Sequence, residues 1–565
     1  MLTPPDLLHL EPRLDIDREL VEELLEMAFL GRDSGPELDA ALASGTSGGW
    51  RPEFFARDLF LRELVGTIFS VSVRGRSYST HRDFLVRVLS SPPRSHEAIA
   101  FRQEIVRELE ENDEIRRRFE DLYVSLRDLL ERLRLPGQSA RLDINTYRLE
   151  VLEHAKRVVD TMASGFTGAT SALARLSEAG EAIRASPEYG LLAAMVDWEQ
   201  RMATLRVGLD VGAAGRITRV EVEDLRENEG NLFYSGPWKR LRQRLSFLVR
   251  GYKWDSASVL SRLIHQVFLK LRPSLTPLVQ LVGQMEIYLA NRGFRRLAEE
   301  NGLAVTLASF DPAAPVAFAS LFNPLLLGEG SPPVPCDLGA RPADSVTLLT
   351  GPNSGGKTRL LQAVGLAQVL GQNGLYVAAR RAELAPMQGI YVSLVEQETA
   401  GQSEGRLGRE LLRIRRMFES IDVPSLVVLD ELCSGTNPSE GIEVFSLVLE
   451  LLDRVSPFAL ISTHFLDHAR ELERRPPITG LEFLQVEVDE AQRSTYQFVP
   501  GVAETSLAAL MAKRLGVTQE ELAATIERRL AAVGTDSDVR SGGGGGSTSR
   551  TDRPGEERRS VPKVE

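Results

Sequence analysis

The sequence predicts a multidomain chain: a largely α-helical N-terminal region, an α/β domain after it, and a disordered C-terminal tail. Three observations carry this prediction. Apolar residues recur at three- and four-residue spacing from Ile16 to about Leu303; beyond Pro312 they gather into short runs separated by helical stretches; after Gly534 the chain turns to Gly, Ser and mixed charges. At 565 residues there is room for several domains, and 43% apolar with 26% charged residues is ordinary globular usage, so the bulk of the chain buries a core.

The helical region reads as a series of amphipathic helices from Ile16 to about Arg201, as in Ile105-Val-Arg-Glu-Leu-Glu and Phe119-Glu-Asp-Leu-Tyr-Val-Ser-Leu-Arg-Asp-Leu-Leu. Pro, Gly and capping residues punctuate it at Ser91-Pro-Pro-Arg-Ser95 and Leu135-Pro-Gly-Gln-Ser139, where helices should break and restart. Between Thr204 and Glu223 the period falls to two on either side of Gly212-Ala-Ala-Gly215, which predicts a β-hairpin interrupting the helices. Helical spacing resumes near Pro237 and runs through Trp254, Phe268, Met285 and Tyr288. In the α/β part, Ser345–Thr350, Ser425–Leu429 and Phe458–Ser462 are short apolar runs bounded by turns, as the strands of a buried parallel sheet require.

Charge and cysteine usage exclude several classes. Lys plus Arg number 67 against 79 Asp plus Glu, a net charge of −12, which rules out a broadly basic nucleic-acid coat while leaving room for a local basic groove. With only Cys336 and Cys433 there is no material for a disulfide framework or a Cys-rich zinc site, and a reducing cytoplasm is expected. The first residues lack a basic stretch followed by an apolar one, and no apolar run approaches the ~20 residues of a membrane helix, so neither export nor membrane insertion is expected.

Chemistry concentrates in three segments. Gly351-Pro-Asn353-Ser354-Gly355-Gly356-Lys357-Thr358 satisfies the P-loop pattern G-x-x-x-x-G-K-[ST], directly after a predicted strand and at the start of a predicted helix. Glycines let backbone N–H groups wrap a phosphate, Lys357 offsets β- and γ-phosphate charge, and Thr358 offers a hydroxyl to Mg²⁺ at a helix N-terminus. Leu426-Val-Val-Leu-Asp430-Glu431 is an apolar strand ending in two carboxylates: Asp430 suits the magnesium shell, and Glu431 suits positioning or deprotonating an attacking water. Ala459-Leu-Ile-Ser-Thr-His464 ends a third strand with a histidine placed to sense the γ-phosphate. The substrate these residues imply is ATP, with Mg²⁺ as cofactor.

Together these residues resemble the MutS family of DNA mismatch-repair ATPases, related to the ABC ATPases, over roughly 320 to 530. The carriers are Asn323-Pro-Leu-Leu, Val334-Pro-Cys-Asp-Leu, the Gly-Pro-Asn-x-Gly-Gly-Lys form of the loop, and Leu429-Asp-Glu-Leu-Cys-Ser-Gly-Thr-Asn-Pro-Ser-Glu-Gly441, which is similar to the bacterial MutS2 branch. The resemblance implies an ABC-type P-loop domain over 312–498 with Pro352 and Asn353 in its nucleotide site, preceded over 1–311 by a core, lever and clamp-like region whose arms close on DNA. The hairpin fits a clamp-like excursion or a small structural β-insert. Residues 499–534, with Val499-Pro-Gly-Val-Ala-Glu-Thr-Ser, resemble the family's helix-turn-helix dimerisation segment, implying a homodimer; 535–565 is the disordered tail.

The sequence also departs from the family. None of the 22 Phe residues has Glu two positions later, so the Phe-x-Glu wedge of mismatch readers is missing. The serine donated across the family's dimer corresponds to Ser403, or to Gly405 when the alignment runs through Glu410. No Smr nuclease domain follows, so endonuclease activity is not expected. The basic segments Arg116–Arg118, Lys239–Arg244 and Arg413–Arg416 are candidate phosphate contacts that more often serve as solvated helix faces, and Trp254 is a packing residue more often than a base platform. The expected function is ATP-driven binding of mismatched, branched or structured DNA. The alternatives are a nucleotide-gated module acting on ribosomes or other nucleic acid, and another ABC- or SMC-type mechanical ATPase.

Overall fold

The computed structural model describes residues 3–45, 48–134, 144–201, 205–211, 217–225, 256–311, 314–328, 332–394, 406–434, 437–491, 493–504 and 517–538. Met1–Thr505 form one compact unit and Ser506–Glu565 a second, in which the helix Gln519–Asp538 is described. The expected break at Leu135–Ser139, residues 505–516 of the helix-turn-helix segment, the tail beyond Asp538, Ser403, Lys239–Arg244 and Trp254 lie outside the described residues; the helix Gln519–Asp538 takes in the first four residues expected in the tail.

Local chemistry sets the helix boundaries. Asp17 caps Arg18–Phe29 by accepting from Leu20 N–H, and Ser95 caps His96–Glu111 by accepting from Ala98 N–H, each such cap stabilising its helix by about 1 kcal/mol. The preceding helix stops at Leu89, so the Ser91–Ser95 segment is the connection its prolines predict. In Asp113–Arg134 the buried residues Ile115, Phe119, Leu122, Leu126, Leu129 and Leu133 follow three- and four-residue spacing, laying one stripe against the core.

The helix Ser256–Glu300 runs through the middle of this region, and every residue from Leu278 to Asn291 is buried. Three of its buried polar side chains are anchored by hydrogen bonds, as burial favours. Gln284 accepts from Leu7 N–H (3.0 Å) and donates to Asp6 Oδ1 (2.7 Å), while Gln280 accepts from Asp15 N–H (2.7 Å) and donates to Arg13 O (3.1 Å), fastening the N-terminal segment to the helix. Glu286, fully buried, accepts from His81 N–H (2.7 Å), Tyr123 Oη (3.1 Å) and Arg127 Nη1 (3.1 Å).

Among the described residues, two hairpins interrupt the helices. Leu205–Val211 pairs antiparallel with Ile217–Leu225, where the alternating pattern placed a hairpin. Val71–Val73 pairs with Arg76–Tyr78 inside the stretch that periodicity alone reads as helical, a correction with a local cause. Arg74 (φ 51°) and Gly75 (φ 77°) both take the left-handed conformation of a two-residue hairpin turn.

The principal sheet has six strands in the order Gly389–Ser393, Ser425–Leu429, Phe458–Ser462, Val346–Thr350, Leu481–Val488 and Ser494–Pro500; all neighbours are parallel except the last pair. Val499 and Pro500, expected to open the next segment, complete its edge strand. Strand alternation divides the sheet between two cores: Leu349, Leu426, Val428 and Leu460 face the large core shared with the N-terminal helices, whereas Leu348, Val427, Leu429, Ala459 and Ile461 face a smaller one with Phe445 and Leu449. A second sheet holds Ser309–Phe310, Arg381–Leu384, Val316–Leu321 and Cys336–Arg341. Its first strand, and Thr306–Leu307 before it, lie on the N-terminal side of position 312, so the helical pattern gives way to strands at Thr306. Among the described residues no helix is long and apolar enough to cross a membrane.

Candidate functional site

The three sequence segments meet at one edge of the principal sheet. Their strands are parallel and adjacent, with Phe458–Ser462 lying between Ser425–Leu429 and Val346–Thr350, so all three C-terminal ends open on the same side. Crevices outside such ends are the usual ligand positions of α/β sheets.

The loop Gly351–Gly356 turns from strand to helix in little space. Gly351 (φ 135°) and Gly356 (φ 92°) hold backbone conformations that side chains disfavour, and a Cβ on Gly351 would lie 2.7 Å from Val486 Cγ2. The helix Lys357–Gln372 starts at once and is buried along almost its whole length. Lys357 is buried, its Nζ donating to Gly351 O (3.0 Å) and Pro352 O (3.1 Å). Burial pushes its pKa below the ordinary lysine value, while Glu431 and Asp430 pull it back up. Asn353 and Ser354 are exposed on the loop, and Ser354 also has a positive φ.

Thr358 and Asp430 are 72 residues apart in sequence and in direct contact, Thr358 Oγ1 donating to Asp430 Oδ2 at 2.5 Å. Ser462 supports the other carboxylate oxygen by donating to Asp430 Oδ1, and its Oγ accepts from Glu431 N–H at 2.8 Å. That second bond matters because Glu431 (φ 49°) and Cys433 (φ 58°) both lie in the left-handed region, which surrounding contacts must enforce. Cys433 N–H is held by Glu410 Oε1 (2.7 Å), and Ser434 N–H donates to Glu431 O (3.0 Å). His464 is exposed beyond the middle strand with its ring 4.2 Å from that of Phe465; Thr463 before it donates to Leu349 O (3.0 Å).

Sequence reasoning missed three residues here. Ser462 was read only as part of a strand end, and nothing short of the strand order reveals that it touches both carboxylate residues. Glu410 was noticed for alignment and proves to hold the segment after Glu431. Asp58, from the helical region, is buried and accepts from Leu394 N–H (2.9 Å) and Arg413 Nη2 (2.5 Å). Arg413 also donates to Val392 O (2.8 Å), so this candidate phosphate contact is spent on an internal ion pair. Arg116, from another basic segment, pairs with Asp113.

The chemistry of the assembled groups is specific. A helix N-terminus, backbone N–H groups of a glycine loop and a lysine make an anion-favouring concavity. Thr358 and Asp430 supply two hard oxygen donors, the set that Mg²⁺ prefers, and the Glu431 carboxylate stands next to them in the chain.

Residues 347–530 match the family model described as MutS domain V. The chain is 35% identical over 178 residues to Endonuclease MutS2 of Thermus thermophilus, covering 31% of this chain and 24% of that protein. It is 29% identical over 297 residues to Endonuclease MutS2 of Streptococcus gordonii (52% of this chain, 36% of that one) and 31% identical over 220 residues to that of Thermomicrobium roseum (39% and 27%). The matched segments thus span 24% to 36% of those relatives' lengths.

Proposed function

We propose that this chain, which belongs to the MutS family and is of the MutS2 type, binds and hydrolyses ATP at the loop Gly351–Thr358 and uses that cycle to change its grip on DNA. The observation that supports it most is the 2.5 Å contact of Thr358 with Asp430, which brings loop and carboxylate strand into one site.

In this reading Lys357 and the loop N–H groups hold the β- and γ-phosphates, and exposed Asn353 borders them. Thr358 and Asp430 would hold Mg²⁺, which when bound would offset phosphate charge. Glu431 orients the attacking water and accepts its proton; His464 faces the γ-phosphate, and proton acceptance of this kind is worth about 10²–10⁴-fold. Ser403 serves the partner's site in a homodimer built through residues 499–534. The 1–311 region supplies the arms that meet mismatched, branched or otherwise structured DNA, and the protein works in the cytoplasm. Binding ATP shifts the arms only so far as it favours one of their arrangements over another.

The test is ATP turnover measured without DNA and with homoduplex, mismatched and four-way-junction DNA at two salt concentrations. DNA-dependent turnover with salt-sensitive binding is expected; turnover indifferent to every DNA, with no salt-dependent binding, refutes the DNA assignment. Lys357→Ala should weaken nucleotide binding, whereas Glu431→Gln should retain ATP but cleave it at least ~10²-fold more slowly.

A further inference from the structure

The hairpin Val71–Tyr78 and the helix Asp113–Arg134 beside it carry a basic surface that the nucleotide site does not use. The foot of the hairpin is fixed. Val71 and Val73 are buried, and a Cβ on Gly293 would lie 2.1 Å from Ser70 O, so the first strand seats directly on the backbone of the helix Ser256–Glu300. Tyr78 packs edge to face with buried Tyr123 of Asp113–Arg134, ring centroids 5.3 Å apart. The tip is free. Arg74, Gly75 and Arg76 are exposed, and among the described residues a Cβ on Gly75 would meet nothing within 4 Å. The Arg76 guanidinium lies 5.0 Å from the centre of the Tyr78 ring, which steadies the cation on the hairpin face. Arg74 reaches Asp121 on the helix, but with the two side chains 66% and 36% exposed this pair is weak in water and yields to a better anion. One helical turn before Asp121, on the same face, stands Arg117, exposed and, among the described residues, without a carboxylate in ion-pair range.

The turn residue itself is unusual. A two-residue hairpin turn with positive φ at both positions favours Asn or Asp at the first, yet Arg74 holds φ 51° there and gains only an exposed ion pair. What the arginine adds is a guanidinium projecting past the end of a rigid hairpin. From this placement we propose that Arg74, Arg76 and Arg117 form a contact for the phosphate backbone of duplex DNA. The proposal rests on the DNA reading above and adds the surface that meets the duplex. The chain as a whole carries a net charge of −12, so these arginines are not the by-product of a generally basic surface. Their planar forks match phosphate oxygens. The four-residue step from Arg117 to Asp121, where Arg74 sits, rises about 6 Å, close to the ~7 Å that two nucleotides of one strand advance along a duplex. The two arginines are thus spaced to take different phosphates. Such contacts carry no sequence information, so homoduplex and branched DNA are held alike here.

The test reads charge through salt. Binding of the full chain to a labelled DNA homoduplex, a DNA four-way junction and a double-stranded RNA is measured between ~50 and ~200 mM salt. Wild type is compared with the neutral triple variant Arg74→Asn/Arg76→Gln/Arg117→Gln and with the triple variant carrying Lys at the same positions. Asn is a residue this turn favours, so the neutral variant should match wild type in thermal melting and in ATP turnover without DNA. Its slope of log affinity against log salt should fall by about 2–3, and its affinity for both DNAs at ~0.1 M salt by about 10-fold or more, while the lysine variant keeps the wild-type slope. An unchanged slope in the neutral variant overturns the proposal. So does a slope lost equally by the lysine variant, which would make the effect one of shape and not of charge. Weakened RNA binding with both DNAs unaffected overturns the choice of DNA. Wild-type protein that binds neither DNA at any salt overturns the DNA reading itself, and this contact with it.

Discussion

Replacing Ser462 by alanine tests the site through a residue that carries no chemistry of its own. Ser462 is fully buried, donates to Asp430 Oδ1 and accepts from Glu431 N–H at 2.8 Å. The substitution removes a hydrogen bond to an ionised group, worth about 1.5–3 kcal/mol, and leaves a backbone N–H without its acceptor at a residue already in the left-handed region. Asp430 then loses one of its two fixed oxygens, and Glu431 loses the contact that sets its backbone. If all of that energy is expressed in the transition state, kcat falls by about 10- to 100-fold, at 1.4 kcal/mol per decade. Lys357 and the glycine loop are untouched, so ATP affinity should stay within a few-fold of wild type. The assay is steady-state phosphate release over a Mg²⁺ titration, with nucleotide affinity measured separately and a melting curve to show that the variant is folded. The expected result is a lower kcat and a higher Mg²⁺ midpoint; wild-type turnover with an unchanged midpoint would refute the reasoning.

Two further outcomes follow from buried charge. Because burial lowers the folded-state pKa of Lys357, the unfolded chain binds more protons than the native one between that value and the ordinary lysine value of 10.5, and this contribution to stability rises with pH across the window. Nucleotide-free Lys357→Met should therefore be at least as stable as wild type at pH 7, with wild type gaining on it by pH 9.5 in urea midpoints; a gap that widens in the variant's favour as pH rises would contradict the assignment. In the helical region, Glu286→Gln should destabilise by about 3–5 kcal/mol, because Arg127 is buried and loses its closest counter-charge. Hydrogen exchange of the Ser256–Glu300 helix would show this as lost protection, and adding Arg127→Met should restore part of it.

What the sequence made legible was local. Ser425–Leu429 and Phe458–Ser462 appear as strands with the bounds their apolar runs indicate, and the loop at Gly351 lies between strand and helix as its glycines and lysine require. The break after Leu89 and the hairpin after Leu205 were likewise written in short-range chemistry, in a pair of prolines and in a change of period. What stayed hidden depends on which strands become neighbours. An apolar run declares that it is a buried strand but not that Phe458–Ser462 lies between the other two, and only that placement brings Ser462 to Asp430. Asp58 was hidden for the same reason: it is 355 residues from Arg413, and no periodicity links a carboxylate in a helical connection to a basic helix face. The Val71–Tyr78 hairpin was lost to its shortness, since three-residue strands fit inside a helical window.

These long-range bonds also show how the candidate site and the helical region share one framework. The helix Lys357–Gln372 begins at the loop and ends deep in the N-terminal packing. There Gln372 donates to Pro93 O (3.0 Å), and Asn373 donates to Leu89 O (3.2 Å) and accepts from Arg102 Nη1 (2.7 Å). Arg102 in turn donates from Nε to Leu8 O (2.9 Å), and Leu7 beside it is held by Gln284 of the long helix. Just beyond, Tyr376 N–H donates to Asn291 Oδ1 (2.9 Å) on that same helix. Gln372, Asn373, Arg102, Gln284 and Asn291 are all buried, so water does not replace a bond that opens, and each lost partner exposes a polar group to the full cost of desolvation. A rigid shift of the loop along the axis of Lys357–Gln372 would therefore have to break these bonds or carry the long helix with it. Because packed interiors are close to incompressible, carrying the helix is the cheaper response. Lys357 and Thr358 thus stand at one end of a strut whose other end is bonded to the elements that organise the N-terminal region.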